Sequence, residues 1–125
     1  MDEQTFKRRT KQFALDVLQL VQEMPRNRAV DVMCSQLLRS ATSVGANYRA
    51  ACRGRSPADV LSRLAIVEEE GDESLYWMEL LVESGTLRKN QVERLMVEAN
   101  ELVAMTVASI KTIRSGRQPS SRPKS

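Results

Sequence analysis

The positions of the prolines constrain the fold of this chain more than any other feature of its sequence. The 125 residues contain four prolines, Pro25, Pro57, Pro119 and Pro123, which leave long segments uninterrupted. Proline inside a helix removes a backbone hydrogen bond and clashes with the preceding turn, so segments without it can form continuous helices. Apolar residues in these segments recur three and four positions apart, which is the period of one helix face. The pattern therefore predicts an all-α protein.

Apolar periodicity divides the chain into four helical segments joined by short links. The second segment has the longest seam, with apolar residues alternating four and three apart over about three heptads. Helices joined by short links pack side by side in opposite directions, which predicts an antiparallel up-down four-helix bundle over residues 1–116. Residues 117–125 contain none of the apolar side chains that form a core, so we expect this segment to be a disordered basic tail. The expected helices cover about residues 5–24, 28–53, 57–84 and 90–115.

Several residues mark the expected helix boundaries. Ser56 is a favoured N-cap, and Pro57 fits the first helical position because its missing N–H would have no partner there. Gly54, Gly85 and Gly116 follow the periodic segments and are typical of helix C-termini.

The residue types argue against an enzyme and against a metal or cofactor site. The chain has no histidine, the most frequent metal ligand and general base. The acidic run Glu68–Glu73 contains the best carboxylate pair for a divalent metal, Glu68 and Asp72, which share a helix face. An ionic contact between helices with a solvated face is the simpler interpretation of this run. Cys34 and Cys52 fall on the inner stripe of the second helix, which is the apolar face that points into the bundle, and buried thiols are usually inert. We expect no catalytic residue, no metal and no cofactor, with an enzyme using the carboxylate pair as a distant alternative.

The sequence also predicts a cytoplasmic protein. No apolar run approaches the roughly 18 residues that indicate a transmembrane helix, and the segment MDEQTFKRRTKQF lacks the apolar core of a signal peptide. Cys34 and Cys52 would lie about 27 Å apart on one helix, too far for a disulfide. We therefore expect reduced thiols and no membrane partner.

Two surfaces of the predicted bundle favour self-association. The third helix carries a second apolar group opposite its inner stripe, and this group includes the only tryptophan. A bundle helix buries one stripe, so a second stripe favours a subunit interface. Small residues flanked by arginines on the outer side of the second helix would let a neighbouring helix approach, with the arginines meeting carboxylates. The interface candidates are Arg39, Ser43, Ala46, Ala50, Ile66, Glu69, Glu73, Trp77 and Leu80.

Basic residues form three clusters that an up-down bundle brings to one end. They occupy the start of the first helix, the end of the second, and the end of the fourth with the tail. Phosphate binding at this end would be weak per subunit, sequence-tolerant and salt-dependent. Base stacking is not strongly indicated, because only Phe6 and Tyr48 accompany the clusters. The nucleic-acid-binding candidates are Lys7, Arg8, Arg9, Lys11, Arg49, Arg53, Arg55, Lys111 and Arg114.

The central region carries a recognisable pattern. It consists of the run Gln36–Ala41, the pair Ser43 and Asn47, and an acidic helix ending in Leu75–Trp77. This pattern resembles the 23S rRNA intervening-sequence proteins, and the flanking helices match that family in length. The resemblance implies an up-down four-helix bundle that assembles as a homopentamer. A related bundle, the accessory protein of diversity-generating retroelements, forms a basic pentameric barrel that binds nucleic acid.

These observations leave two interpretations of the arginines. The first is a non-enzymatic homo-oligomer, expected to be a pentamer, that binds RNA or DNA through a basic end. The second is a structural or protein-binding scaffold whose arginines are used in subunit contacts. Arginine suits phosphate and carboxylate alike, so residue type does not decide between them.

Overall fold

The computed structural model describes residues 2–116 as four α-helices, with no strand in that range. Consecutive helices pack against each other and the last returns to the first, which confirms the all-α, up-down four-helix bundle. The observed helix ends lie within about two residues of the expected ones. The predicted tail at 117–125 lies outside the described residues. The helices are α1 (Glu3–Gln22), α2 (Arg28–Cys52), α3 (Pro57–Glu83) and α4 (Lys89–Arg114).

Side-chain caps account for three of the four helix starts. Asp2, Asn27 and Ser56 each accept a hydrogen bond from the backbone N–H three residues later, at 2.7, 2.9 and 3.1 Å. Each cap gives a partner to an N–H group that a helix start otherwise leaves unsatisfied. At α4, the side chain of Gln91 accepts from the backbone N–H of Arg88 at 2.8 Å. The cap at Ser56 confirms the prediction from the sequence.

Two glycines end helices for different reasons. Gly85, after α3, has a φ of 81°, a left-handed conformation that glycine adopts without a Cβ clash. Gly54, after α2, has no positive φ, but a Cβ at this position would lie 2.4 Å from Cγ2 of Val60. Gly54 therefore lets the link between α2 and α3 pack against the first turn of α3.

The core is mainly aliphatic and follows the predicted inner stripes. Ser40 of α2 and Ser74 of α3 are also fully buried, and their hydroxyl oxygens lie 3.1 Å apart. Within residues 2–116, every buried side-chain nitrogen or oxygen has a hydrogen-bond partner, so polar burial does not leave an unpaired group. The largest fully buried apolar side chains are Phe13, Leu37, Met78, Leu81, Leu102 and Val17.

Candidate nucleic-acid interface

A groove between α1 and α2 brings together two of the three predicted basic clusters. The volume of the groove is about 680 Å³. Lys7, Arg8 and Lys11 line it from α1, and Arg49 and Arg53 line it from α2. Five of the nine side chains predicted to bind nucleic acid therefore share one surface depression.

Close approach of the two helices gives this groove a floor of small side chains. A Cβ at Gly45 of α2 would lie 3.2 Å from Oγ1 of Thr10 on α1, so glycine keeps the backbones close. Of the uncharged lining residues, only Ala46 was a candidate from the sequence, as an interface residue. The others lie at helical spacing from the basic residues, and that spacing could have identified them. The uncharged lining residues are Gln4, Thr10, Ala14, Thr42, Gly45 and Ala46.

The lining of the groove is cationic and contains no carboxylate among the residues that the structure describes. Lys7 has an acidic neighbour on its own helix, since its Nζ lies 3.6 Å from Oε2 of Glu3. Lys11, Arg49 and Arg53 form no ion pair with any residue between positions 2 and 116. Their positive charges are therefore not neutralised by this part of the chain.

Arg9 turns away from the groove and contacts α4. Its guanidinium donates two hydrogen bonds to Glu98, at 2.6 and 2.9 Å, and a third to Glu101 at 2.7 Å. These hydrogen bonds, from Glu98 first, raise the pKa of Arg9 above its usual value. Arg9 thereby bridges α1 and α4, which are the least extensively packed of the neighbouring helix pairs.

The remaining basic candidates lie outside the lining of the groove. Arg55 is in the link between α2 and α3, where its backbone N–H donates to Asp59 Oδ2 at 3.2 Å. Lys111 and Arg114 lie in the last turn of α4. Because α4 ends where α1 begins, this third cluster is at the same end of the bundle as the groove.

The two aromatic residues near the basic clusters are buried against each other. The rings of Phe6 on α1 and Tyr48 on α2 stack with centroids 4.1 Å apart and an interplanar angle of 14°. Both belong to the core, with 5% and 9% exposure. Their faces are therefore covered, and they give the groove no platform on which a base could stack.

Two of the predicted interface residues, Arg39 and Glu73, are paired within a single chain. The guanidinium of Arg39 lies 3.0 Å from a carboxylate oxygen of Glu70 and 2.5 Å from one of Glu73. The indole N–H of Trp77 donates to Glu73 at 3.2 Å. Hydrogen bonds from Arg39 and then from Trp77 lower the pKa of Glu73. Part of the acidic run therefore serves as an ionic contact between α2 and α3.

An apolar and aromatic surface, which we call the α3 outer face, is formed by Ile66, Tyr76, Trp77 and Leu80. Ile66, Trp77 and Leu80 are half-buried, and Trp77 packs partly against the core. Tyr76 is 53% exposed and meets Trp77 edge to face, with centroids 5.0 Å apart. Their place in a subunit interface stays a prediction. The same holds for the remaining candidates on the outer sides of α2 and α3, which are Ser43, Ala46, Ala50 and Glu69.

The acidic run and the thiols form no metal-binding group within the described residues. Glu68 is half-buried and Asp72 is exposed, and no group of three or more Cys, Asp or Glu residues between positions 2 and 116 is placed to hold a metal ion. Both cysteines are free. Burial raises the pKa of the Cys34 and Cys52 thiols, which disfavours the nucleophilic thiolate.

Comparisons with known proteins agree with this architecture. A model of the family described as 23S rRNA-intervening sequence protein matches residues 2–108. Among solved structures, a protein of unknown function from the S23 ribosomal protein family of Bacteroides thetaiotaomicron is 32% identical in sequence, with a TM-score of 0.83. The match covers 90% of this chain and 100% of that chain. No curated protein matches the chain.

Proposed function

We propose that this chain, which belongs to the 23S rRNA-intervening sequence protein family, is a non-enzymatic, homo-oligomeric helical bundle that binds the backbone of RNA or DNA. The observation that carries this proposal is the α1–α2 groove with its five cationic side chains. Lysine and arginine neutralise phosphates and release counterions, so binding through them depends strongly on salt. The described lining offers no aromatic ring, so binding is weak per protomer and indifferent to base sequence.

Association of protomers is the second part of the proposal, and the α3 outer face supports it. Tyr76 is exposed on this face and its other three side chains are half-buried, so all four would lose contact with water in an interface. The family resemblance implies a homopentamer. A cyclic assembly repeats the groove once per protomer, so that several weak phosphate contacts act on one nucleic acid.

A purely structural or protein-binding scaffold is the alternative function, and one observation favours it. Arg9 and Arg39 are both engaged by carboxylates inside the protomer. Arginines of this chain can therefore have a purely structural role, in which they hold neighbouring helices together. In a scaffold, the groove arginines would likewise meet carboxylates of a second copy instead of phosphates.

The cytoplasm is the proposed location. Both cysteines are free, in keeping with a reducing compartment. None of the helices between residues 2 and 116 combines the length and hydropathy needed to cross a bilayer.

Replacing Arg49 and Arg53 by alanine tests nucleic-acid binding. We expect the affinity for a labelled RNA or DNA oligonucleotide at low salt to fall about tenfold or more, because two phosphate contacts are lost. The matched variant Arg63→Ala/Arg94→Ala removes two exposed arginines from α3 and α4 and should bind like the wild type. Fluorescence anisotropy at two salt concentrations measures both variants.

Light scattering on the same samples supplies the control for assembly. An unchanged mass in the Arg49/Arg53 variant assigns the loss of affinity to the groove. Absence of binding by the wild type at low salt, or unchanged affinity in that variant, would favour the scaffold. A wild type that is monomeric at micromolar concentration would contradict the homo-oligomer.

A further inference from the structure

The basic side chains of the groove form two rows, one on each helix. Lys7 and Lys11 are four residues apart on α1, and Arg49 and Arg53 are four residues apart on α2. Each row therefore has a step of about 6 Å along its helix. The lining extends over ten residue steps of α1, which corresponds to a length of about 15 Å.

The space between the two rows is narrow. Helices in contact have axes about 8–10 Å apart, and Gly45 holds α2 against Thr10 of α1. Ala14 and Ala46 add only methyl groups to the floor. A single chain of phosphates can therefore reach the floor and meet the cations of both rows. A duplex carries two backbones held apart across grooves about 6 and 12 Å wide, so it cannot enter as a whole.

We propose that the groove binds one strand of RNA or DNA lengthwise and prefers single-stranded nucleic acid to duplex. This inference rests on the proposed function and narrows its ligand class. The two walls hold successive phosphates of the strand, and the groove has room for about three of them at the 6 Å step of its cations. The bases point away from the floor, because Phe6 and Tyr48 are buried against each other and offer no stacking surface.

One test blocks the groove without changing its charge. Ala46→Leu adds a side chain to the exposed floor, and Ala104→Leu makes the same change at an exposed position of α4 outside the lining. The probe is a labelled mixed-sequence oligonucleotide, used single-stranded and annealed to its complement at the same low salt concentration. We expect the wild type to bind the single strand about tenfold more tightly than the duplex, and A46L to lower single-strand affinity about fivefold while A104L leaves it unchanged.

Variants from the two walls give a second readout that does not depend on how the leucine fits. If one strand touches both walls, Lys11→Ala and Arg49→Ala should each make the dependence of log affinity on log salt shallower by about 0.7. A shallower slope for only one of them overturns the inference.

The remaining outcomes separate this inference from the proposed function. Duplex bound as tightly as single strand overturns the inference and leaves nucleic-acid binding standing. Absence of binding for both probes at low salt refutes the proposed function itself. A change of assembly mass in A46L with unchanged affinity would identify the groove as a subunit contact, which also overturns the inference.

Discussion

At the residue scale, arginine has two different roles on the surface of this bundle. Arg9 and Arg39 each reach two carboxylates on a neighbouring helix. Arg49 and Arg53 reach none within residues 2–116, and the groove that they line presents only basic and uncharged side chains from α1. A guanidinium group matches carboxylate and phosphate equally well, so what the opposite helix presents decides its role. In the proposed function, the groove arginines meet an external anion.

Trp77, the only tryptophan of the chain, reports on the carboxylate that it contacts. Hydrogen bonds from Arg39 and then from Trp77 lower the pKa of Glu73. Glu73 therefore stabilises the fold at pH values above the usual pKa of glutamate. This contribution is lost as the pH falls through the lowered pKa that Glu73 has in the folded protein. We predict a change in tryptophan fluorescence with a midpoint below 4.5, the usual pKa, and its absence in Glu73→Gln. A midpoint above that value, or an unchanged transition in E73Q with native circular dichroism, would contradict this assignment.

At the element scale, the helix pairs differ in how they are held together. The contact between α1 and α4 is the least extensive, and Arg9 spans it with a side chain that is 28% exposed. The corresponding clamp between α2 and α3 uses the more exposed Arg39 and supplements an extensive apolar contact. Charge-assisted hydrogen bonds contribute more when they are partly shielded from water. The α1–α4 contact therefore depends more on its arginine.

Replacing Arg9 by alanine should loosen α1 from α4. We expect the free energy of unfolding to fall by about 1–3 kcal/mol, because a bidentate pair is lost and two carboxylates lose their partner. Amide hydrogen exchange should accelerate most in α1 and α4. Arg39→Ala is the matched comparison and should destabilise the protein less. Chemical denaturation and hydrogen-exchange mass spectrometry measure both effects, and equal losses in the two variants would argue against a special role for Arg9.

The helices could be predicted from the sequence, whereas several contacts between them could not. Proline placement and apolar period act within one segment, so they define each helix and its inner stripe locally. Contacts depend on how each helix is rotated about its axis. Nothing in the linear pattern pairs Arg9 with Glu98, which is 89 positions away. The adjacent residue Arg8 lines the groove, so two neighbouring arginines in the sequence face different surfaces. Likewise, the sequence places Phe6 and Tyr48 beside the basic clusters but does not show that their rings cover each other.

At the scale of the whole molecule, the charge is modest but unevenly distributed. The net charge is +3 for 125 residues, yet five cations line one groove and the α3 outer face adjoins an acidic run. In the proposed cyclic assembly the groove recurs around the ring. A strand that enters one groove meets the next at high effective concentration, so weak binding per protomer gives useful affinity for the assembly.

In the proposed function, the groove cations bind nucleic-acid phosphates and not carboxylates of another subunit. The salt dependence of single-strand affinity, measured on the assembled protein, tests this claim by separating the two roles. We predict that the Arg49→Ala/Arg53→Ala variant makes the slope of log affinity against log salt shallower by about 1.4, at unchanged assembly mass, because each single-strand phosphate contact contributes about 0.7. The Arg63→Ala/Arg94→Ala variant should leave the slope unaltered. An unchanged slope in the groove variant, accompanied by a smaller assembly, would contradict the claim and assign these arginines to subunit contacts.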